Sequence, residues 1–267
     1  MKRILLILWL PFFIPTFAQY KSESVGFQEN KGQIVNQKGQ LNDEVKYLLN
    51  SAGLNVQLRK NGFSYDVYQV QKTPFASLQA SKTLPHPKDE QTRPQYILSY
   101  KFHRIDIDFE NSNSKVELIT GQSSEDFVNY YNISTKPEGV LAVHQYKEVT
   151  YRNIYPHIDV VFTVPNDPEK TVEYNFIVHP GGKISDIRLK FNGVVTALDN
   201  NKIQMNVCFG KMQETLPLSW TEDGAGKKKA TVKYRKIKNN VYGFETSDAV
   251  SARTLIIDPV PIRLWGT

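Results

Sequence analysis

Cysteine is almost absent. Cys208 is the single one in 267 residues, so no internal disulfide can form and the chain must depend on its core. Between Val207 and Phe209 it reads as a small packed strand residue, and without an identified His and Asn or Asp partner it is a poor nucleophile. A strong charge of one sign is also missing. The formal net charge is +6, and loss of Lys2 and Arg3 with a leader would leave about +4, scattered along the chain and not indicative of nucleic acid. The densest cluster, Lys227-Lys228-Lys229, follows Asp223-Gly224-Ala225-Gly226. It reads as a solvated hairpin beside an edge strand that lysines protect from pairing, with a polyanion patch as the alternative. No helical hydrophobic period of useful length occurs, no fixed-period repeat is visible, and no nucleophile, metal or phosphate motif is recognisable.

What the chain does have begins with an export pattern. Lys2 and Arg3 precede an apolar run broken by Pro11 and Pro15, and Thr16-Phe17-Ala18 supplies small residues at a cleavage site. Residues 1–18 are read as a signal peptide cut before Gln19, because the run is shorter than the roughly 20 residues that span a bilayer. Gln19 is not a cysteine, which argues against a lipid anchor. The expected location is secreted or cell surface, with the periplasm as the alternative if the chain is a fragment, and no membrane span after cleavage.

The densest strand patterning runs from Tyr146 to Gly193. Ile158, Val160 and Phe162 alternate with polar neighbours. After the turn Pro165-Asn166-Asp167-Pro168 the segment from Thr171 to Val178 returns, which predicts a hairpin. Pro180-Gly181-Gly182 and Asn192-Gly193 punctuate the remainder of that stretch. Earlier, Asn61-Gly62 marks another hairpin, and Tyr96 to Phe109 alternates with Ile105, Ile107 and Phe109 on one face. Residues 72–95 carry Pro74, Pro85, Pro87 and Pro94 and read as a mobile loop. Gly121 to Asn132 reads as a looser segment. The pattern predicts an all-β antiparallel sandwich of two packed sandwich-like halves without large helices. An N-terminal half would cover 19–135, a C-terminal half 136–260, and 261–267 would be a linker or the start of a truncated repeat.

Candidate chemistry is sparse. Glu29 and Asn30 lie in Phe27-Gln28-Glu29-Asn30-Lys31-Gly32-Gln33, where Glu29 could act as a carboxylate acid or base. The simpler reading is a turn whose Asn and Gln side chains bond to backbone. Asp106 and Asp108 share a face and could hold a hard cation, but Arg104 beside them suggests a charge-balanced solvent face. Asp159, Tyr130 and Tyr131 complete the binding candidates, with Glu29 and Asn30. No catalytic residue, metal site or cofactor is assigned.

Taken together, the Phe27 to Gln33 segment, Val149-Thr150-Tyr151-Arg152-Asn153-Ile154-Tyr155-Pro156-His157-Ile158-Asp159, Glu173-Tyr174-Asn175-Phe176-Ile177-Val178-His179-Pro180-Gly181, Ile187 to Gly193 and Leu255-Ile256-Ile257-Asp258-Pro259 carry a resemblance. The chain resembles a domain of unknown function placed at the N-terminus of secreted proteins of gliding and surface-living Gram-negative bacteria, ahead of SBBP-type β-propeller repeats. The resemblance implies export in a type IX secretion context and no established catalytic residues. Relatives often have Asp where this chain has Asn175 and Gly where it has His157. The ending Leu264-Trp265-Gly266-Thr267 looks like the opening of a first repeat strand. The leading expectation is a non-catalytic structural or interaction module whose partners are other domains or surface proteins, in an adhesion setting. The alternative is a carbohydrate-binding or glycan-processing sandwich, with extracellular polysaccharide as ligand and Glu29, Asp106, Asp108, Asp159 and Glu173 as available carboxylates.

Overall fold

Successive side chains leave a strand on opposite faces, so period-two alternation buries one row and wets the other. The computed structural model describes residues 25–74, 95–131, 133–167, 170–224, 226–248 and 252–265. The expected signal peptide and most of the proline-rich interval lie outside those residues. Within them the first strands are β1 (Phe27–Glu29), β2 (Val45–Leu49), β3 (Leu54–Arg59), β4 (Gly62–Pro74) and β5 (Tyr96–Phe109). They are followed by β6 (Glu117–Thr120), β7 (Ser123–Tyr130), β8 (Val140–Tyr146), β9 (Glu148–Tyr155), β10 (Ile158–Thr163) and β11 (Glu173–Val178). The remainder comprises β12 (Leu189–Asn192), β13 (Val195–Asp199), β14 (Lys202–Val207), β15 (Gly210–Asp223), β16 (Gly226–Lys229), β17 (Val232–Lys238), β18 (Val241–Thr246) and β19 (Thr254–Arg263). A 3-10 turn at Ile184–Asp186 is the only helical element among the described residues.

The strands form two antiparallel sheets, as the alternation predicts. The first has ten strands in the order β17-β18-β12-β5-β4-β3-β2-β1-β8-β7. The second runs β13-β14-β15-β19-β11-β10-β9-β6, with β16 paired to β15. Each sheet takes strands from both sides of Ser134–Pro137: β8, β12, β17 and β18 join the first, and β6 joins the second. The two sequence halves therefore share both layers.

Several local expectations change. Phe27–Glu29 is not part of a turn but a short strand between β2 and β8, and the turn begins at Asn30. The segment read as looser contains β7, whose pairing with β8 is interrupted by register shifts that weaken its periodicity. Residues 261–263 are not linker: they extend β19 along β15, with Pro261 opposite Glu214 and Arg263 opposite Met212. Trp265 then packs edge-on against Phe209, ring centroids 5.2 Å apart. Cys208 is exposed rather than packed, because Val207 pairs directly with Gly210 and leaves Cys208-Phe209 as a two-residue hairpin turn.

Aromatic rings fill the space between the sheets. Phe63 of the first sheet meets Phe162 and Tyr174 of the second at centroid distances of 5.0 and 5.3 Å. Phe27 reaches Phe162, Phe109 reaches Tyr151 and Phe176, and Phe244 reaches Phe176. Both alternating triplets of the 158–178 hairpin are buried, and their register is Ile158 opposite Val178, Val160 opposite Phe176 and Phe162 opposite Tyr174. Removing one such ring typically costs about 3–5 kcal/mol.

One carboxyl sits inside this apolar layer. Glu214 on β15 is fully buried, and Tyr174 donates to its Oε2 at 3.1 Å. Tyr65 of the opposite sheet also acts on the carboxyl, although no well-formed hydrogen bond joins its hydroxyl to Glu214 Oε1. The hydroxyl of the buried Tyr234, which Glu214 also influences, donates to Thr215 O instead. Burial pushes Glu214 from an ordinary 4.5 up to about 8, against the opposing pull of Tyr65 and Tyr174. A carboxyl whose folded value is raised favours folding in its neutral form. That contribution is complete below about 4.5 and is lost as pH rises through about 8. The slope approaches about 1.4 kcal/mol per pH unit within the window. Thermal melts of wild type between pH 5 and 8.5 should therefore fall faster than those of Glu214→Gln, whose amide cannot ionise. Parallel curves would show that Glu214 does not titrate on folding.

Candidate functional site

Four of the five sequence candidates come together at one end of the first sheet. Glu29 closes β1, where its Oε1 accepts from the His144 amide at 2.9 Å and from Lys31 Nζ at 3.0 Å. Asn30 clasps the following loop: its Nδ2 donates to Asn42 O at 2.9 Å and Val45 O at 2.7 Å, and its Oδ1 accepts from the Gly32 amide. Gly32 has φ +105°, a dihedral that favours glycine, while the end of the Lys136 side chain lies over it and is free to move aside. From Asn30 onward the segment closes its own turn by side-chain to backbone bonds, as the simpler sequence reading expects for the whole of Phe27–Gln33. Tyr130 donates to Gln28 Oε1 at 2.9 Å, and Tyr131 next to it is exposed.

Asp159 is elsewhere, on the second sheet. Its Oδ1 accepts from the Asn153 amide at 2.6 Å and its Oδ2 lies 2.9 Å from His179 Nε2. Asn153 has φ +49° and sits where the β9–β10 register shifts, so the carboxylate holds a bulge in place. Asp159, a binding candidate in the sequence, is mostly covered, and both its oxygens are engaged within the fold. His157, in the adjoining turn, has φ +59°, a conformation that glycine adopts without strain.

The outer face of the first sheet carries a charge ladder. Arg59 pairs with Asp108 at 2.7 Å, Asn192 donates to the other Asp108 oxygen, and Arg104 pairs with Asp106 at 2.9 Å while donating to Gln57. Burial raises Asp66, opposed by Arg104. Asp106 and Asp108 thus lie on the charge-balanced face that Arg104 suggested. Among the described residues no group of three or more His, Cys, Asp and Glu side chains is disposed to hold a metal ion.

Beyond the ladder, β4 and β5 continue past their neighbours. β3 covers β4 only to Val67, and β12 covers β5 only from Asp106, so residues 68–74 and 96–102 project as a two-stranded arm. Register puts Tyr68 opposite Phe102, Val70 opposite Tyr100 and Lys72 opposite Leu98. That row shares the outer face with Arg104 and Asp106. Tyr96, Leu98, Tyr100 and Phe102 are each between 48% and 59% exposed. Their rings are organised: Tyr100 and Phe102 are near-parallel, planes 18° apart, and both contact Tyr68. Tyr68 is fixed by its hydroxyl, which donates to Ser51 O at 3.0 Å. On the opposite face His103 anchors the arm's base, Nε2 3.0 Å from Gly193 O and Nδ1 accepting from the Cys208 amide.

Tyr68, Tyr100 and Phe102 line a groove of about 470 Å³ with Asn50, Ser51 and Asn55. Asn50 also borders a second depression, where Gln28, Leu48, Val128, Tyr130 and Gln145 meet. Sequence reasoning did not single out Tyr68, Tyr100 or Phe102. The available signal was that Tyr100 and Phe102 continue the alternation on the row opposite Ile105 and Ile107, where polar residues belong.

The geometry around Asp159 gives a test of its structural role. Asp159→Ala strands the Asn153 amide and His179, and should lower stability by about 1–3 kcal/mol, whereas Asp159→Asn keeps an acceptor for Asn153 and should cost less. Thermal melts of the two variants check this, and equal, negligible shifts would contradict it. Comparison with known proteins finds no curated protein and no solved structure that matches the chain. The sequence model of one family does match, over residues 27–260. That interval runs from the buried Phe27 into β19, so all of the two-sheet unit except the last three residues of β19 falls within it. The chain belongs to the family described as Domain of unknown function (DUF7948).

Proposed function

We propose that this chain is a non-catalytic interaction module of an exported, cell-surface protein, working through the outer face of its first sheet. The observation that carries the proposal is the β4–β5 arm, which exposes Tyr96, Leu98, Tyr100 and Phe102 in one row. Contiguous exposed apolar surface on a folded domain is characteristic of a binding site. The carboxylates point the same way, because Glu29, Asp106, Asp108 and Asp159 are all held in bonds that serve the fold. The basic, apolar, small-residue order of residues 1–18 supports export, and the resemblance to secreted repeat-bearing proteins supports a place at the cell surface.

The double variant Tyr100→Ala/Phe102→Ala removes two exposed rings, so its melt should stay close to wild type, within about 0.5 kcal/mol per site. We expect secreted wild-type chain to be retained on envelopes of the producing cells and the variant to wash off. Equal retention of the two proteins would contradict the proposal.

A further inference from the structure

We infer that the aromatic groove at the base of the arm binds a neutral glycan chain, one sugar seated against Tyr68, Tyr100 and Phe102 and the chain continuing over Asn50 toward Gln28 and Tyr130. The inference rests on the reading of the protein as an interaction module and names its ligand class. A pyranose presents a face of C–H groups and an equator of hydroxyls. Such a face leaves water readily for the electron-rich face of an aromatic ring, and the hydroxyls need donors and acceptors at the margin. The groove has that division of labour. Two near-parallel rings and a third fixed by its hydroxyl form the apolar part. The carboxamides of Asn50 and Asn55, with Ser51 beside them, form the polar rim, both offering donors, while the Asn55 oxygen already accepts from the Ser51 amide.

Charge argues for a neutral ligand. None of the groove's lining side chains carries a formal charge. Charged groups stand only at its margin: Asp66 and Arg104, one step down the strands, pair with each other, Arg263 donates to the Ala52 carbonyl, and Lys72 lies one step further out along the arm. An anionic polymer would find no cation among the groove's lining side chains, whereas a polyhydroxylated ligand needs none. The second depression repeats the same chemistry, with Gln28, Gln145 and Tyr130 beside Leu48 and Val128. Tyr130 is fixed by Gln28 as Tyr68 is by Ser51. Because Asn50 borders both, the two form one path across the sheet from β5 to β7. Six strand intervals at about 4.8 Å make it roughly 29 Å long, a span suited to a chain rather than a monosaccharide. A peptide partner would instead be expected along the strand edges of the arm, which among the described residues pair with no third strand beyond Val67 and Asp106, by backbone hydrogen bonds.

The test is native affinity electrophoresis of the secreted chain in gels containing hydroxyethylcellulose, galactomannan or a β-1,3-glucan, with alginate as an anionic control. Wild type should be retarded by at least one neutral polymer, independently of salt. Tyr100→Ala and Phe102→Ala should each weaken retardation about tenfold or more, and Phe102→Trp should preserve it, with all three melting like wild type. Retardation by alginate alone, fading with salt, would overturn the inference. So would retardation that the ring variants leave unchanged, which would place the glycan elsewhere. If no neutral polymer retards the chain while the ring variants still lose envelope retention, the glycan assignment falls and the interaction module stands. If the ring variants change neither assay, both fall.

Discussion

The packing of rings across the two sheets is the constraint on which the rest of the structure depends. Phe63 stands on β4 and Phe162 on β10, nearly a hundred positions later, yet their centroids are 5.0 Å apart. Tyr174 stacks on Phe162, Phe109 bridges Tyr151 and Phe176, and Phe244 brings β18 onto Phe176. With no disulfide available, this layer supplies the long-range links between segments far apart in sequence, and rings do so efficiently because each buries a large area in few rotamers. Two of the layer's hydroxyls are tied to backbone, Tyr151 sharing its one proton between Arg59 O and Gly62 O, and Tyr155 between Glu110 O and Arg188 O. Glu214 is the exception in kind, a carboxyl placed where only its neutral form is comfortable.

Because the inner rows carry stability, the outer row of the first sheet is free to differ along its length. At Arg59, Asp108, Arg104 and Asp106 it is a ladder of paired charges that keeps the face soluble. Two residues further out on β5 the same row becomes Phe102 and then Tyr100, half-exposed. The transition coincides with the end of coverage by β3 and β12. Rings on the outer face point away from the opposite layer, where the rest of the row is charged, so an aromatic cluster there suits an external partner, and the proposed function follows from that contrast.

Much of the fold was legible in the sequence because period-two alternation is a local signal. Ile158, Val160 and Phe162, and Tyr174, Phe176 and Val178, could be placed on strand faces and are all buried. Arg104 beside Asp106 and Asp108 was enough to indicate a balanced outer face. Pairing between strands distant in sequence was not legible, since nothing local says that β1 lies between β2 and β8 or that β12 joins β5 to β18. Cys208 was misplaced because a two-residue turn without Gly or Asn at its centre has no strong signature, and the alternation runs through it. Glu29 and Asn30 looked like chemistry because short polar motifs that satisfy backbone groups use the same residue types as active sites. Asp159 looked like a binding carboxylate because only the fold brings His179 to it. The groove was missed for a related reason: Tyr68, Asn50 and Phe102 are far apart in sequence and meet only through the β2–β3–β4–β5 register.

The central claim is that recognition resides on the outer aromatic row while the carboxylate-bearing turns serve the fold. Hydrogen exchange of the secreted chain, with and without a saturating neutral polysaccharide that retards it, reads this directly. The account predicts added protection at 51–55, 68–70 and 98–102, with none at 153–159 or 176–182. Protection concentrated around Asp159 and His179, with the arm unchanged, would contradict it.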